Sequence, residues 1–242
     1  MPRTSVAEVR VFADAEELGR ALADEILAAY AAAPARPFLL GCPGGRSLRT
    51  TYAALTERGA DLGRLVVVMM DEYVDAPTDA HYSCRGFALR ELAEPLGLGE
   101  EQVWLPDATE PEAYDERIAA AGGLDLFLLA SGASDGHVAF VPPGSPRDGR
   151  TSIVTLAEST RRDNLATFAG FPSLEEVPTH GVSVGLGTIA DARLLRLVLH
   201  GVDKRGATKR LLALDAFDPV WPASIVHECE QAEIWLDREA LA

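Results

Sequence analysis

Two uninterrupted apolar runs, FLLGC (Phe38–Cys42) and LVVVMM (Leu65–Met70), constrain the fold more tightly than any other feature of the chain. Neither alternates apolar with polar residues, so a strand built from either needs cover on both faces, as in a parallel sheet flanked by helices. LDLFLLA (Leu124–Ala130) and LLRLVLHG (Leu194–Gly201) repeat the pattern. Amphipathic stretches separate the runs. Asp14 and Glu17 are spaced as an N-cap and capping box. Leu18, Leu22, Ile26 and Tyr30 then recur every four residues and give one buried helical face. Pro34 and Pro37 end that helix, and SLRTTYAALTERG (Ser47–Gly59) predicts a second, closed by Gly59. The alternation continues to AEIWLD (Ala232–Asp237) without internal repeat, low-complexity linker or compositional break. The expectation is one α/β domain over residues 1–242, with an open, mostly parallel sheet and helices on both faces, Rossmann-like in its layering.

Composition narrows the partners. With 22 Lys and Arg against 37 Asp and Glu the formal charge is −15, which argues against nucleic acid and anionic membranes. A small anionic ligand remains compatible, because a few clustered cations can coexist with an acidic exterior. Cys42, Cys84 and Cys229 are widely spaced, odd in number and lack metal-ligand spacing, as expected of reduced thiols. No apolar signal core and no run of membrane-spanning length is evident, so the expected location is the cytoplasm.

In open parallel sheets, ligands bind at the carboxyl ends of the strands. Four polar or glycine-rich corners fall there: GCPGGRS (Gly41–Ser47), DEY (Asp71–Tyr73), SGASDGH (Ser131–His137) and GVDKRG (Gly201–Gly206). The first has glycines for close backbone approach and Ser47 at a helix start, which suits either a phosphate or a plain tight turn. It is neither a P-loop nor a dinucleotide fingerprint, so nucleotide binding has no support. Asp71 and Glu72 follow an apolar strand, where desolvation would raise a carboxyl pKa; taken alone, they read as acids that solvate a loop. Asp135-Gly136-His137 is more pointed, because a carboxylate beside an imidazole fixes its tautomer and raises its basicity. Arg161 or Arg162, with Lys204, supplies cations for a phosphate dianion. His81, His180, His200 and His227 have no comparable sequence partner and read as structural or surface residues.

In this order the corners resemble the glucosamine-6-phosphate deaminase/isomerase and 6-phosphogluconolactonase superfamily. The resemblance runs from LLGCPGGRSLRTTYAAL through VVVMMDEYV, GGLDLFLLASGASDGHVAF, STRRDN and VPTHGVSVGLGTIADA to LHGVDK, roughly Leu39 to Lys204. MDEYV and SVGLGTIADA are closer to the deaminase branch, since the lactonases typically carry Asp-Glu-Arg at that strand end. The resemblance implies that Ser47, Arg161 and Lys204 hold the phosphate, with Gly45 in the turn that approaches it. Asp71 would move a proton between C1 and C2 of an open-chain sugar. His137, oriented by Asp135, would help open the ring. No metal and no cofactor are implied.

Several positions depart from the family pattern. Pro142 stands where the deaminases keep a ring-opening glutamate, five residues after the histidine, and Asp148 is the nearest acid that could substitute. Ser131 and Ala133 replace usual glycines. Arg46 and Arg85 replace smaller or apolar residues and, with Glu72, are candidate substrate contacts. The expected function is acid–base isomerisation of a hexose 6-phosphate, with or without deamination. A 6-phosphogluconolactonase-type hydrolase, in which His137 activates water, is the alternative. A non-catalytic sugar-phosphate sensor is the third reading. The expected partner is a small sugar phosphate, with self-association into a homo-oligomer compatible with the sequence.

Overall fold

The computed structural model describes residues 6–74, 82–167 and 170–242; His81 lies outside them. The first half runs β1 (Glu8–Phe12), α1 (Ala15–Ala32), β2 (Phe38–Cys42), α2 (Arg49–Glu57), β3 (Leu65–Met69), β4 (Asp71–Tyr73), α3 (Cys84–Ala88), α4 (Glu94–Leu96), β5 (Val103–Trp104) and α5 (Glu112–Ala120). The second runs β6 (Leu126–Ala130), β7 (Ser152–Thr155), α6 (Glu158–Thr167), β8 (His180–Ser183), α7 (Leu186–Ala190), β9 (Leu194–Leu199), α8 (Arg205–Leu212), β10 (Ala232–Asp237) and α9 (Arg238–Leu241).

Seven strands form one sheet in the order β1-β10-β9-β6-β2-β3-β5, and every neighbouring pair is parallel. The apolar runs behave as doubly covered strands. In β2 and β3, Phe38, Leu40, Leu65 and Val67 pack with Leu18, Leu22, Ile26 and Tyr52 of α1 and α2. Their neighbours Leu39, Val66 and Val68 face the other way, toward Tyr114 and Ile118 of α5 and the residues of α7 and α8. The start of α1 is capped as its sequence predicts. The Glu17 N–H donates to Asp14 Oδ1 at 2.7 Å, and the Ala13 N–H donates to the Glu17 carboxylate at 2.6 Å.

The sheet order reverses between β2 and β6, which are adjacent although β3 and β5 lie between them in sequence. A doubly wound sheet opens a crevice at such a switch point, outside the carboxyl ends of the strands. The turns GCPGGRS and SGASDGH leave those two strands, so the topology delivers both to one crevice.

A second, three-stranded antiparallel sheet, β4-β8-β7, was not anticipated by the sequence pattern. β4 starts one residue after β3 and pairs Asp71 with Ser183 and Tyr73 with Gly181. This small sheet folds across the end of the large one and fixes Asp71 at the crevice, where a free loop had been expected. Cys42, Cys84 and Cys229 are all unpaired and buried. Among the described residues, no helix is long and apolar enough to cross a membrane.

Candidate active site

The crevice is a cleft of about 580 Å³, walled by the turns after β2, β6 and β9, by Asp71 and Cys84, and by one face of α6. It has a cationic end and an acid–base end.

At the cationic end, Gly44, Gly45, Arg46 and Ser47 form the turn between β2 and α2. Gly45 has φ +95°, a conformation that side-chain-bearing residues rarely adopt, and it brings the turn against Thr167 of α6. The His200 ring pins the turn, with Nε2 2.9 Å from the Ser47 carbonyl; the carbonyl accepts, so Nε2 carries the hydrogen. Lys204 reaches over from the turn after β9, and its Nζ donates to the Ser131 carbonyl at 2.6 Å. Burial pushes the Lys204 ammonium below its ordinary pKa; Asp163 opposes this and Arg46 adds to it. Arg46 is exposed, lines the cleft and has no carboxylate partner among the described residues.

At the acid–base end, Asp71 is buried, and its Oδ1 accepts a hydrogen bond from the Cys84 thiol at 3.2 Å. Burial raises its carboxyl to about 7; the Cys84 hydrogen bond and the facing His137 pull it down, and Glu72 pushes it up. A group titrating there gives and takes protons at neutral pH. Asp135 Oδ1 lies 2.7 Å from His137 Nδ1 and also accepts the His137 N–H at 3.1 Å. Since a carboxylate only accepts, Nδ1 carries a hydrogen, so in the neutral ring the acceptor nitrogen is Nε2. The Ser159 hydroxyl, from the first turn of α6, donates to Asp135 Oδ2. Burial alone would raise the Asp135 carboxyl, but the His137 contacts and the Ser159 hydrogen bond hold it well below the usual range.

Gly136 makes this corner possible. Its φ is +70°, and a Cβ there would lie 2.4 Å from the Trp221 ring. The residue is thus the pivot that turns Asp135 and His137 toward one another.

Not every expected residue reaches the cleft. Gly45, Arg46, Ser47, Asp71, His137 and Lys204 line it, with Asp135 behind His137. Arg161 does not: its guanidinium donates to the carbonyls of Leu174 at 2.6 Å and Val177 at 2.8 Å. Arg162 pairs with Glu158 on the outer surface. Glu72 is not a cleft residue either, since its carboxylate accepts the N–H groups of Tyr73, Cys84 and Arg85. Arg85 pairs with Glu100 at 2.6 Å, outside the cleft wall. Pro142 and Asp148 are also absent from the wall, and Asp148 is exposed elsewhere. Sequence reasoning missed Cys84, Asp163, Asn164 and Thr167, all in the wall, and the anchor Ser159. Read as structural or surface, His200 in fact lines the cleft. The helical spacing of Ser159, Asp163 and Thr167, four residues apart, was the available signal for one face of α6.

The family model described as glucosamine-6-phosphate isomerases/6-phosphogluconolactonase matches residues 13–235. The chain belongs to this family. It is 39% identical over 210 residues to a glucosamine-6-phosphate deaminase of Streptomyces avermitilis, covering 83% of this chain and 78% of that one. It is 36% identical to a glucosamine-6-phosphate deaminase of Beutenbergia cavernae, covering 96% of this chain and 91% of that one. Among solved structures, a monomeric glucosamine-6-phosphate deaminase superposes with a TM-score of 0.88 at 26% identity, covering 96% of this chain and 98% of that one. The 6-phosphogluconolactonase of Trypanosoma brucei shares the fold, with a TM-score of 0.77 at 22% identity over 98% of this chain and 100% of that one. The chain is accordingly an α/β enzyme of the deaminase/isomerase kind.

Proposed function

We propose that the protein is a glucosamine-6-phosphate deaminase, converting an aldose 2-amino-2-deoxy 6-phosphate and water into a ketose 6-phosphate and ammonia. The observation that carries this reading is the buried Asp71 at the cleft wall, titrating at about 7 and facing His137, which Asp135 holds as the Nδ1–H tautomer. Aldose–ketose isomerisation needs one group that removes a proton at C2 and returns it at C1, and a carboxyl near neutral pKa suits both halves. His137 Nε2 accepts the ring hydroxyl proton as the sugar opens, and Asp135 stabilises the imidazolium that forms.

The phosphate lies at the other end, against the Gly44–Ser47 turn, with Lys204 and Arg46 as its cations. Arg46 takes the place that sequence reasoning gave to Arg161. The reaction needs proton transfers and hydrolytic release of the amine, with water supplying the ketone oxygen at C2, and these side chains provide the acid–base groups for it. The same reading places the enzyme in the cytoplasm, where phosphorylated sugars and reduced thiols occur together, and gives it no nucleic-acid or membrane partner. A structural relative described as monomeric shows that the fold persists without a partner subunit; light scattering decides between monomer and homo-oligomer here.

Hydrolysis of 6-phosphogluconolactone is the second reading. It is favoured by one observation: no carboxylate stands at Pro142 to assist ring opening, and Asp148 does not replace it. Proton NMR of the protein with glucosamine 6-phosphate tests the first reading. It expects loss of the anomeric signals and growth of those of fructose 6-phosphate; unchanged aldose spectra at high enzyme concentration would count against it.

A further inference from the structure

Asp71 is gripped from one side by a device that the proton-transfer reading does not require. Glu72, the next residue, turns away from the cleft and accepts the N–H groups of Cys84 at 3.1 Å and Arg85 at 2.8 Å, the first residues of α3. Ser83 caps the same helix, accepting the Gly86 N–H at 2.9 Å. This clamp fixes the start of α3 on β4 and aims the Cys84 side chain back at the preceding acid. The thiol donates to Asp71 Oδ1 at 3.2 Å, and both side chains are buried in the cleft wall. Asp71 Oδ2 has no partner among the described residues, so it is the oxygen left to the cleft.

We propose that Cys84 is the positioning residue for Asp71: its thiol hydrogen selects the carboxylate rotamer that presents Oδ2 to substrate and favours the ionised form. The inference rests on the reading of Asp71 as the proton-transferring group. Two observations support it. Burial and the carboxylates of Asp71 and Glu72 hold the thiol well above its usual pKa, so it keeps the hydrogen it must donate. The other titratable groups facing Asp71 are Glu72 and Tyr73 on β4, His137 from the turn after β6, and Tyr114 from α5. None of them donates a hydrogen bond to it: Glu72 only accepts, and the Tyr114 hydroxyl is committed to the Met69 and Trp104 carbonyls at 2.7 and 3.0 Å. A thiol is also a weak donor, so it orients the carboxylate without drawing its pKa far from neutrality.

Infrared titration of the Asp71 carboxyl, assigned by Asp71→Asn, is the test, run on the intact protein and on Cys84→Ala and Cys84→Ser. Loss of the donor in Cys84→Ala is expected to raise the Asp71 midpoint by roughly half a unit to one unit. The acid limb of kcat/KM should follow, with a roughly twofold to fivefold loss at pH 7 that is recovered at alkaline pH. Cys84→Ser, which keeps a donor, should hold the limb at or below its original position. In the unmodified protein, the S–H stretching band of Cys84 should shift as Asp71 ionises. An unmoved carboxyl midpoint in Cys84→Ala, or a pH-invariant S–H band should that variant not fold, overturns the proposal. A midpoint that moves while the rate profile stays put leaves Cys84 coupled to Asp71 and refutes the assignment of Asp71 as the proton carrier.

Discussion

Replacing Arg46 and Arg161 separately by alanine tests which arginine meets the phosphate. Arg46 lines the cleft beside Lys204 with no carboxylate partner among the described residues, whereas the Arg161 fork is spent on the Leu174 and Val177 carbonyls. A hydrogen bond to a charged group contributes roughly 1.5–3 kcal/mol. Solvent screening puts an exposed arginine at the lower end of that range. At about 1.4 kcal/mol per factor of ten, Arg46→Ala should lower kcat/KM for the sugar phosphate by roughly tenfold. It should weaken inhibition by inorganic phosphate to a similar degree and leave thermal unfolding unchanged. Arg161→Ala should behave in the opposite way. It strands two main-chain carbonyls, at a cost of about 1–3 kcal/mol, and should lower Tm by several degrees while kcat/KM stays within about twofold. Steady-state kinetics and thermal unfolding on both variants give the answer. A fully stable Arg161→Ala protein with kcat/KM down more than tenfold would refute the assignment of the cationic end.

Four further outcomes follow from the acid–base end. Asp135→Asn replaces the carboxylate that fixes the His137 tautomer at 2.7 Å with a neutral amide able to donate as well as accept, and kcat should fall by about 10²–10⁴-fold with little change in Tm. The acid limb of kcat/KM should have its midpoint near the Asp71 value of about 7. Because that folded pKa lies above the ordinary carboxyl value of 3.8, the native state holds a proton that the unfolded chain releases between those two values. Asp71 therefore costs stability increasingly as pH rises through that window. Asp71→Asn should abolish turnover yet raise Tm, and the gain should be larger at pH 8 than at pH 4. Gly136→Ala forces a positive φ on a residue with a Cβ and drives it into Trp221. The backbone alone costs about 1–2 kcal/mol, and both Tm and kcat should drop, read by calorimetry and steady-state kinetics.

The large sheet was legible because its strands are covered on both faces, which leaves uninterrupted apolar runs such as Leu65–Met70 in the sequence. The small sheet was not. β4 has three residues, β7 is largely exposed, and the pairing of Asp71 with Ser183 joins positions far apart in the chain. The same division holds at the cleft. Corners that leave a strand end, such as Asp135–His137 after β6 and Gly44–Ser47 after β2, lie at the cleft because the strand end fixes their position. Arg161 lies outside the cleft wall because it sits on a helix, where a residue two positions from Asp163 points to nearly the opposite side. Only the docking of α6 decides which face meets the cleft. Contacts such as Cys84 with Asp71 and His200 with the Ser47 carbonyl are set by tertiary packing and leave no mark in local spacing.

Glucosamine 6-phosphate and 6-phosphogluconolactone, offered in parallel to the purified protein, probe the central claim most directly. Ammonia release and lactone loss, the latter corrected for spontaneous hydrolysis, are followed together. The account predicts stoichiometric ammonia and ketose phosphate from the first substrate, abolished by Asp71→Asn. Rapid hydrolysis of the lactone with no ammonia from glucosamine 6-phosphate would contradict it and assign the cleft to the lactonase chemistry.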